Sequence, residues 1–241
     1  QDNFWTIGEE TVAWGTKATT LTRGIENQTD DATPNVEFLQ SRGMRPATVA
    51  TPTGRSVAVP RGGQHVLTLD LMAKSLGLVL ASVASTVATT TPGGATLTRL
   101  HTFTPTTTGP TKSFTVHAGR ADVGGTVNHH DYLGCMAESL NLALAPKGLP
   151  VLKSTFAYKT LDTAAASVTP SYPTSSHVYR DIDCVVSIDG NSECLRSADF
   201  TIPTGLDMER WRICAGGREK PVLNTRVEPT GTLSLDYEDD S

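Results

Sequence analysis

Along 132–144, Leu140, Leu142 and Leu144 alternate with Ser139, Asn141 and Ala143. A period of two sends successive side chains to opposite faces, so this stretch predicts a half-buried strand with one face on a core and the other in wetter surroundings. The turn Ala145-Pro146-Lys147-Gly148 and the run 151–160 complete a long hairpin. A second hairpin is predicted over 184–188 and 193–202, hinged at Asp189-Gly190, a dipeptide that tolerates positive φ. Further strand candidates are 35–41, 65–71, 97–104 and 113–118, and 231–237 closes the series with Leu233, Leu235 and Tyr237 in alternation.

Met72, Leu76, Val79, Leu80, Val83 and Val87 recur at three- and four-residue intervals, which predicts one helix packed against a sheet. Thr and Gly dominate 86–98 and 102–111, which read as connecting segments. The stretch 42–63 holds Pro46, Pro52, Gly54, Pro60, Gly62 and Gly63 and carries Arg42, Met44, Arg45, Arg55 and Arg61. It reads as an extended loop, and a loop much longer than the usual ~4–6 residues has work outside its own domain, most simply contact with a neighbour. About nine strands and one helix predict a mainly β chain, an antiparallel sandwich or barrel-like domain with one flanking α-helix and long extended loops. No internal repeat divides it, so 1–241 reads as one domain, with 1–34 as an N-terminal arm.

Composition supports this reading. Thr is the commonest residue, and its restricted first torsion suits a pleated strand better than a helix. The net charge of -5 gives no basic footprint for gripping nucleic-acid phosphates. The most apolar run, 76–84, is far shorter than the ~20 residues of a membrane span, and 1–6 shows no secretory signal pattern. No membrane association is therefore expected. The chain starts without Met and stops soon after a strand-like run, which predicts that the natural protein extends further.

Candidate chemistry is thin. Cys135, Cys184, Cys194 and Cys214 form no Cys-x-x-Cys pair and read as mostly reduced and packed; Cys184 and Cys194 meet across the second hairpin only if its register allows. His129-His130-Asp131 with Cys135 nearby is the best catalytic or metal-ligating group, but adjacent strand residues face opposite ways, and a solvated turn before a strand explains it better. Gly124-Gly125 and Gly216-Gly217 lack any phosphate-binding frame and read as turns. Trp5, Trp14 and Trp211 lie in different segments and read as core; Asp236, Glu238, Asp239 and Asp240 read as a solvated chain end. No catalytic, metal or cofactor residues are assigned, and no enzyme activity is expected.

The order of several motifs resembles the major tail tube protein family of long-tailed (siphovirus) bacteriophages, especially those infecting actinobacteria. The motifs are Gly8-Glu9-Glu10-Thr11 with Trp14-Gly15-Thr16, then Ser41-Arg42-Gly43-Met44-Arg45-Pro46, then Leu76-Gly77-Leu78-Val79-Leu80. The most specific is Tyr132-Leu133-Gly134-Cys135-Met136-Ala137-Glu138-Ser139-Leu140-Asn141-Leu142, which assigns Cys135 to strand packing. Ile188-Asp189-Gly190, Gly205-Leu206-Asp207 and Thr230-Gly231-Thr232-Leu233-Ser234-Leu235 complete the order, while the Thr-rich stretch 86–98 is longer than the family pattern.

The resemblance implies hexameric rings stacked into a tube, with an inner barrel of sheets from all subunits and a neutral or negatively charged lumen that conducts DNA during genome ejection. It implies a virion tail component assembled in the host bacterial cytoplasm, with copies of itself, a tape measure protein and tail terminator or distal tail proteins as partners, and DNA as non-specific cargo. On this reading Ser139, Asn141, Ala143, Lys153 and Thr155 form the inner-sheet hairpin, and Arg42, Met44, Arg45, Arg55 and Arg61 belong to an inter-subunit loop. A cyclic ring needs unlike patches that fit each other, which such a loop can supply. Two other classes compete: a decoration or adhesion β-module that forms no tube, and a Cys–His hydrolase using Cys135 with His129 or His130.

Overall fold

A computed structural model of the chain describes residues 3–29, 31–40, 56–84, 86–94, 98–104, 109–174, 176–213 and 218–235. Among them are one short α-helix, α1 (Gly77–Ala81), and sixteen strands. The strands are β1 (Phe4–Glu9), β2 (Gly24–Ile25), β3 (Asp31–Gln40), β4 (Ser56–Asp70), β5 (Thr86–Thr90), β6 (Leu100–Thr104), β7 (Phe114–Ala121) and β8 (Val127–Leu144). They continue as β9 (Val151–Tyr158), β10 (Thr160–Asp162), β11 (Val186–Ile188), β12 (Asn191–Glu193), β13 (Leu195–Pro203), β14 (Leu206–Asp207), β15 (Val222–Leu223) and β16 (Thr230–Leu235).

A ten-stranded sheet organises the fold, and β8 is its spine. The first half of β8 pairs with β7 on one side and β10 on the other. Its second half pairs with β9 and β13. Between the halves Gly134 adopts φ +69, and the ladder to β7 shifts register there, so the strand bends. The bend turns the sheet back on itself. Tyr132 on the first half stacks flat on His65 of β4 at 4.6 Å, and meets Tyr158 of β9 edge-on at 5.0 Å.

The core lies between these layers. Trp5, Ile7, Val116 and Ala118 come from one half, Leu67, Leu69, Leu140, Leu152 and Phe156 from the other, and α1 adds Val79 and Ala81. Leu140 and Leu152 take the inward positions of β8 and β9, as the alternation along 132–144 predicted for β8, whereas β1 and β7 are buried on both faces along most of their length.

The structure corrects several expectations. The helix is five residues rather than a run to Val87: Met72 and Leu76 are buried, but Val87 lies in β5 opposite Phe103, where Thr and Val side chains fit a pleat better than a helix. The stretch 86–98 is therefore not simply a connector. The predicted loop 42–63 shrinks, because 56–63 belongs to β4 and Arg61 is a strand residue; Arg42, Met44, Arg45 and Arg55 lie outside the described residues. The 1–34 stretch is no detached arm, since β1 lies between β2 and β7 in the sheet. In the second hairpin only β11 and β12 pair with each other, and β13 leaves to join β8 and β16.

Candidate assembly surfaces

Two of the sequence motifs meet at the bend of β8. The Glu10 carboxylate is buried and accepts hydrogen bonds from Gly15 N (2.8 Å), Ser113 Oγ (2.8 Å), Thr115 Oγ1 (3.1 Å) and Gly134 N (2.7 Å). Trp14 Nε1 donates to Gly134 O at 3.0 Å, so one segment satisfies both sides of the bent peptide. Gly134 has no room for a side chain: a Cβ there would come within 2.9 Å of Lys159 and Trp14. Gly8 is as constrained, because a Cβ would stand 2.1 Å from Thr20 O, where 10–23 crosses the sheet. These contacts set the angle between the two halves of the sheet.

The same segment covers a buried polar chain. Lys17 Nζ lies 2.5 Å from Asp131 Oδ2, Asp131 Oδ1 pairs with His117 Nδ1 at 2.6 Å, and His117 Nε2 meets His129 Nδ1 at 3.1 Å. Burial pushes the Asp131 carboxyl up, yet hydrogen bonds from His117 and Lys17 outweigh it and leave the group below its ordinary value. Burial, then the neighbouring His117, lowers the pKa of His129. His129, His130 and Asp131 are thus part of β8 and not a solvated turn. Phe4 stacks on His117 at 5.7 Å and closes the chain over. Within it Asp131 and His117 are fully buried, and each is paired with the next group in the chain.

Cys135 is fully buried, and its thiol donates to Tyr132 O at 3.2 Å. Burial and the charge of Glu10 push the thiol well up, the reverse of an activated nucleophile. Cys184 and Cys194 are free, and Cys194 is exposed rather than packed; Cys214 lies outside the described residues.

The second half of the sheet has two unlike faces. Register places Ser139 opposite Thr155, Asn141 opposite Lys153 and Ala143 opposite Val151, so the five predicted hairpin residues share one face. The face continues through Asp199 and Thr201 to Thr232 and Thr230, and through Val66, Thr68 and Asp70 on β4. Asn141 Nδ2 ties it together by donating to Asp199 Oδ1 (2.8 Å) and Thr201 Oγ1 (2.9 Å). Asp70 and Asp199, with Lys153 as the cation beside them, give it an acidic excess.

The opposite face is apolar. Under β4, β9 and the second half of β8 it is buried core; across β13 and β16 Ala198 is still buried, but the larger apolar side chains around it are partly exposed. Phe200, Ile202, Leu233 and Leu235 all lie on that extension and are 37–47% exposed. Together they form a partly exposed apolar row. These residues were missed as site residues, although the alternation Asp199-Phe200-Thr201-Ile202 carried the signal.

Among the described residues, β3 and β16 each pair on one side only, so both edges of this sheet region are free. From β3 through β4, β9, β8 and β13 to β16 every pairing is antiparallel, so β3 and β16 run in opposite directions. A β16 edge set beside the β3 edge of another copy continues an antiparallel sheet.

The β3–β4 pair also projects beyond the sheet. β9 covers only Gly63–Asp70 of β4, leaving 56–60 paired with β3 alone. Val36, Phe38, Leu39 and Val57 are exposed on this ribbon. Its root is fixed: Arg61 pairs with Glu37 at 2.9 Å and lies over Trp211 at 5.0 Å, and Arg218 stands against the same ring at 5.5 Å. Trp211 thus serves the ribbon and not the core.

No curated protein matches the sequence. Among solved structures, one described as "Structure of a type six secretion system protein" is similar at 14% identity over 66% of this chain and 80% of that one, with a TM-score of 0.33, a likeness too slight to add to the fold. The profile of the phage tail tube proteins matches residues 2–241. With nearly its whole length matched, the chain belongs to the phage tail tube protein family.

Proposed function

We propose that this chain, as a single tail-tube domain, is the major tail tube subunit of a siphovirus of the actinobacteriophage type, forming hexameric rings that stack into a tube. The observation that carries the reading is a sheet with two chemically distinct faces and opposed, oppositely directed edges that are free among the described residues. Edge-to-edge joining of β16 to β3 closes a ring without a change in strand polarity. The apolar extension on β13 and β16 is then covered by the neighbour, and the small polar face carrying Ser139, Asn141, Ala143, Lys153 and Thr155 lines the lumen.

An acidic excess on that face suits a conduit for DNA. Like charge keeps phosphates from sticking, so the genome passes as non-specific cargo during ejection. The ribbon of 36–40 and 56–60, with Arg61 at its root, makes contacts between subunits. Assembly takes place in the host cytoplasm and ends in the virion tail, with tape measure and tail terminator or distal tail proteins completing the structure. Electron microscopy of the purified chain is expected to show tubes or six-fold rings. Dispersed monomers or trimers at high concentration point instead to a decoration or adhesion module and overturn the proposal.

A further inference from the structure

The hairpin β11–β12 turns at Asp189-Gly190, where φ is positive at both residues (51° and 86°), a two-residue turn that fixes register tightly. Its ladder runs from Ile188 opposite Asn191 back to Val186 opposite Glu193. Carried one step further, that register sets Cys194 opposite Val185 and makes Cys184 and Cys194 diagonal neighbours. Diagonal neighbours stand roughly 6 Å apart between Cα atoms, inside the range of about 4.4–6.8 Å that a disulfide spans. A continued ladder would aim the two side chains at opposite faces. The ladder stops at Val186 and Glu193, however, and β13 slips register against β16 between Leu195 and Ser197. Released from strict alternation, both cysteines line one cleft of about 250 Å³, with Leu144, Pro146, Pro150 and Ile182 among its apolar walls. The Cys184 thiol donates to Arg180 O at 3.6 Å, and Cys194 is exposed.

We propose that Cys184 and Cys194 are a redox-sensitive disulfide site: two thiols in reducing surroundings, and one covalent clamp across the base of the β11–β12 hairpin in oxidising ones. The roles follow from exposure. Cys194, open to solvent, meets the oxidant first, as a thiolate attacking one sulfur of a small-molecule disulfide such as oxidised glutathione. That S–S bond breaks, one glutathione leaves, and Cys194 carries the other as a mixed disulfide. Cys184, half-buried in the same cleft, then attacks Cys194 Sγ and expels the second glutathione. Two protein thiols are oxidised, one glutathione disulfide is reduced to two thiols, and these take up the two protons that the protein loses. Cys135 is fully buried and has no such access. The hairpin has use for a clamp, because β11 and β12 pair only with each other among the described residues, and a lone two-stranded ribbon is marginal in water. Lys147 N donates to Asp181 Oδ2 at 2.7 Å and already ties another part of the cleft wall to the 145–150 turn. On the tube reading the surroundings become oxidising when particles leave the host cell, but the pairing itself does not rest on that reading.

Peptide mass mapping tests the pairing on the purified full-length chain, treated with oxidised glutathione, blocked at its remaining thiols with N-ethylmaleimide and digested with trypsin without reduction. Arg180 and Arg196 bracket both cysteines with no Lys or Arg between them, so the single peptide 181–196 carries the pair. That peptide is expected to take up no maleimide and to be lighter than its dithiol form by two hydrogen atoms. A further cut after Glu193 is expected to leave the two halves joined until dithiothreitol is added. In Cys184→Ser the reaction is expected to halt at the mixed disulfide of Cys194 with glutathione. Maleimide on both cysteines of the natural chain, glutathione retained on both, or bonds from either one to Cys214 or to another chain overturn the proposal. Each result is read on the chain whether or not it forms tubes, so failure of the tube reading and failure of the pairing are told apart.

Discussion

Replacing Glu10 with alanine lowers the stability of the subunit by about 4 kcal/mol, since donors left unsatisfied in a buried site cost roughly 1–3 kcal/mol each and part of that is recovered by relaxation or water. Four donors converge on this carboxylate, and two of them, Gly15 N and Gly134 N, are backbone groups that cannot turn away. Thr115 Oγ1 also accepts from Ala18 N, so its orientation depends on the same carboxylate. Urea unfolding measures the loss directly. Glu10→Gln is expected to fall between the two, because its amide keeps one acceptor oxygen but points N–H groups at existing donors. Glu9→Ala is the control: its bond to Lys112 is partly exposed, and its removal is expected to change stability by less than about 1 kcal/mol. Equal losses for Glu9→Ala and Glu10→Ala contradict the role given to Glu10.

The second large effect falls on assembly rather than on the fold. Leu233→Asp combined with Leu235→Asp is expected to leave the subunit folded and abolish tubes. Both side chains are exposed in the single subunit, on a strand whose residues are all exposed, so carboxylates there remain solvated and shift stability by about 1 kcal/mol or less. In a closed ring the same positions are covered by the neighbour, and an unpaired charge buried there costs several kcal/mol at every seam. Sedimentation reads the result: slowly sedimenting single subunits with an unchanged melting transition. Tubes from the doubly substituted chain place β16 outside the interface.

The long hairpin was legible because its signal is local: alternation fixes which face each residue takes, and Ser139, Asn141, Ala143, Lys153 and Thr155 do share one face. The extent of the helix was not legible, since the spacing of Met72, Leu76, Val79 and Val87 satisfies a helical period while the Thr-rich run holding Val87 pairs with β6. The loop assignment over 42–63 rested on Pro and Gly density, but Pro60 and Gly62 sit in a ribbon edge, where a strand tolerates them. Least legible were the long-range partners. Nothing near Glu10 in the chain announces Gly134, and nothing near Arg61 announces Trp211; only tertiary packing brings them together. The family resemblance drew attention to the first pair without giving its chemistry.

Amide hydrogen exchange along β16, compared between single subunits and assembled particles, tests most directly whether the sheets of adjacent copies join. The outward-facing amides of Thr230–Leu235 are expected to exchange quickly in the single subunit and to become strongly protected on assembly, along with the free edge of β3. Assembled tubes in which both edges exchange as fast as before contradict the account.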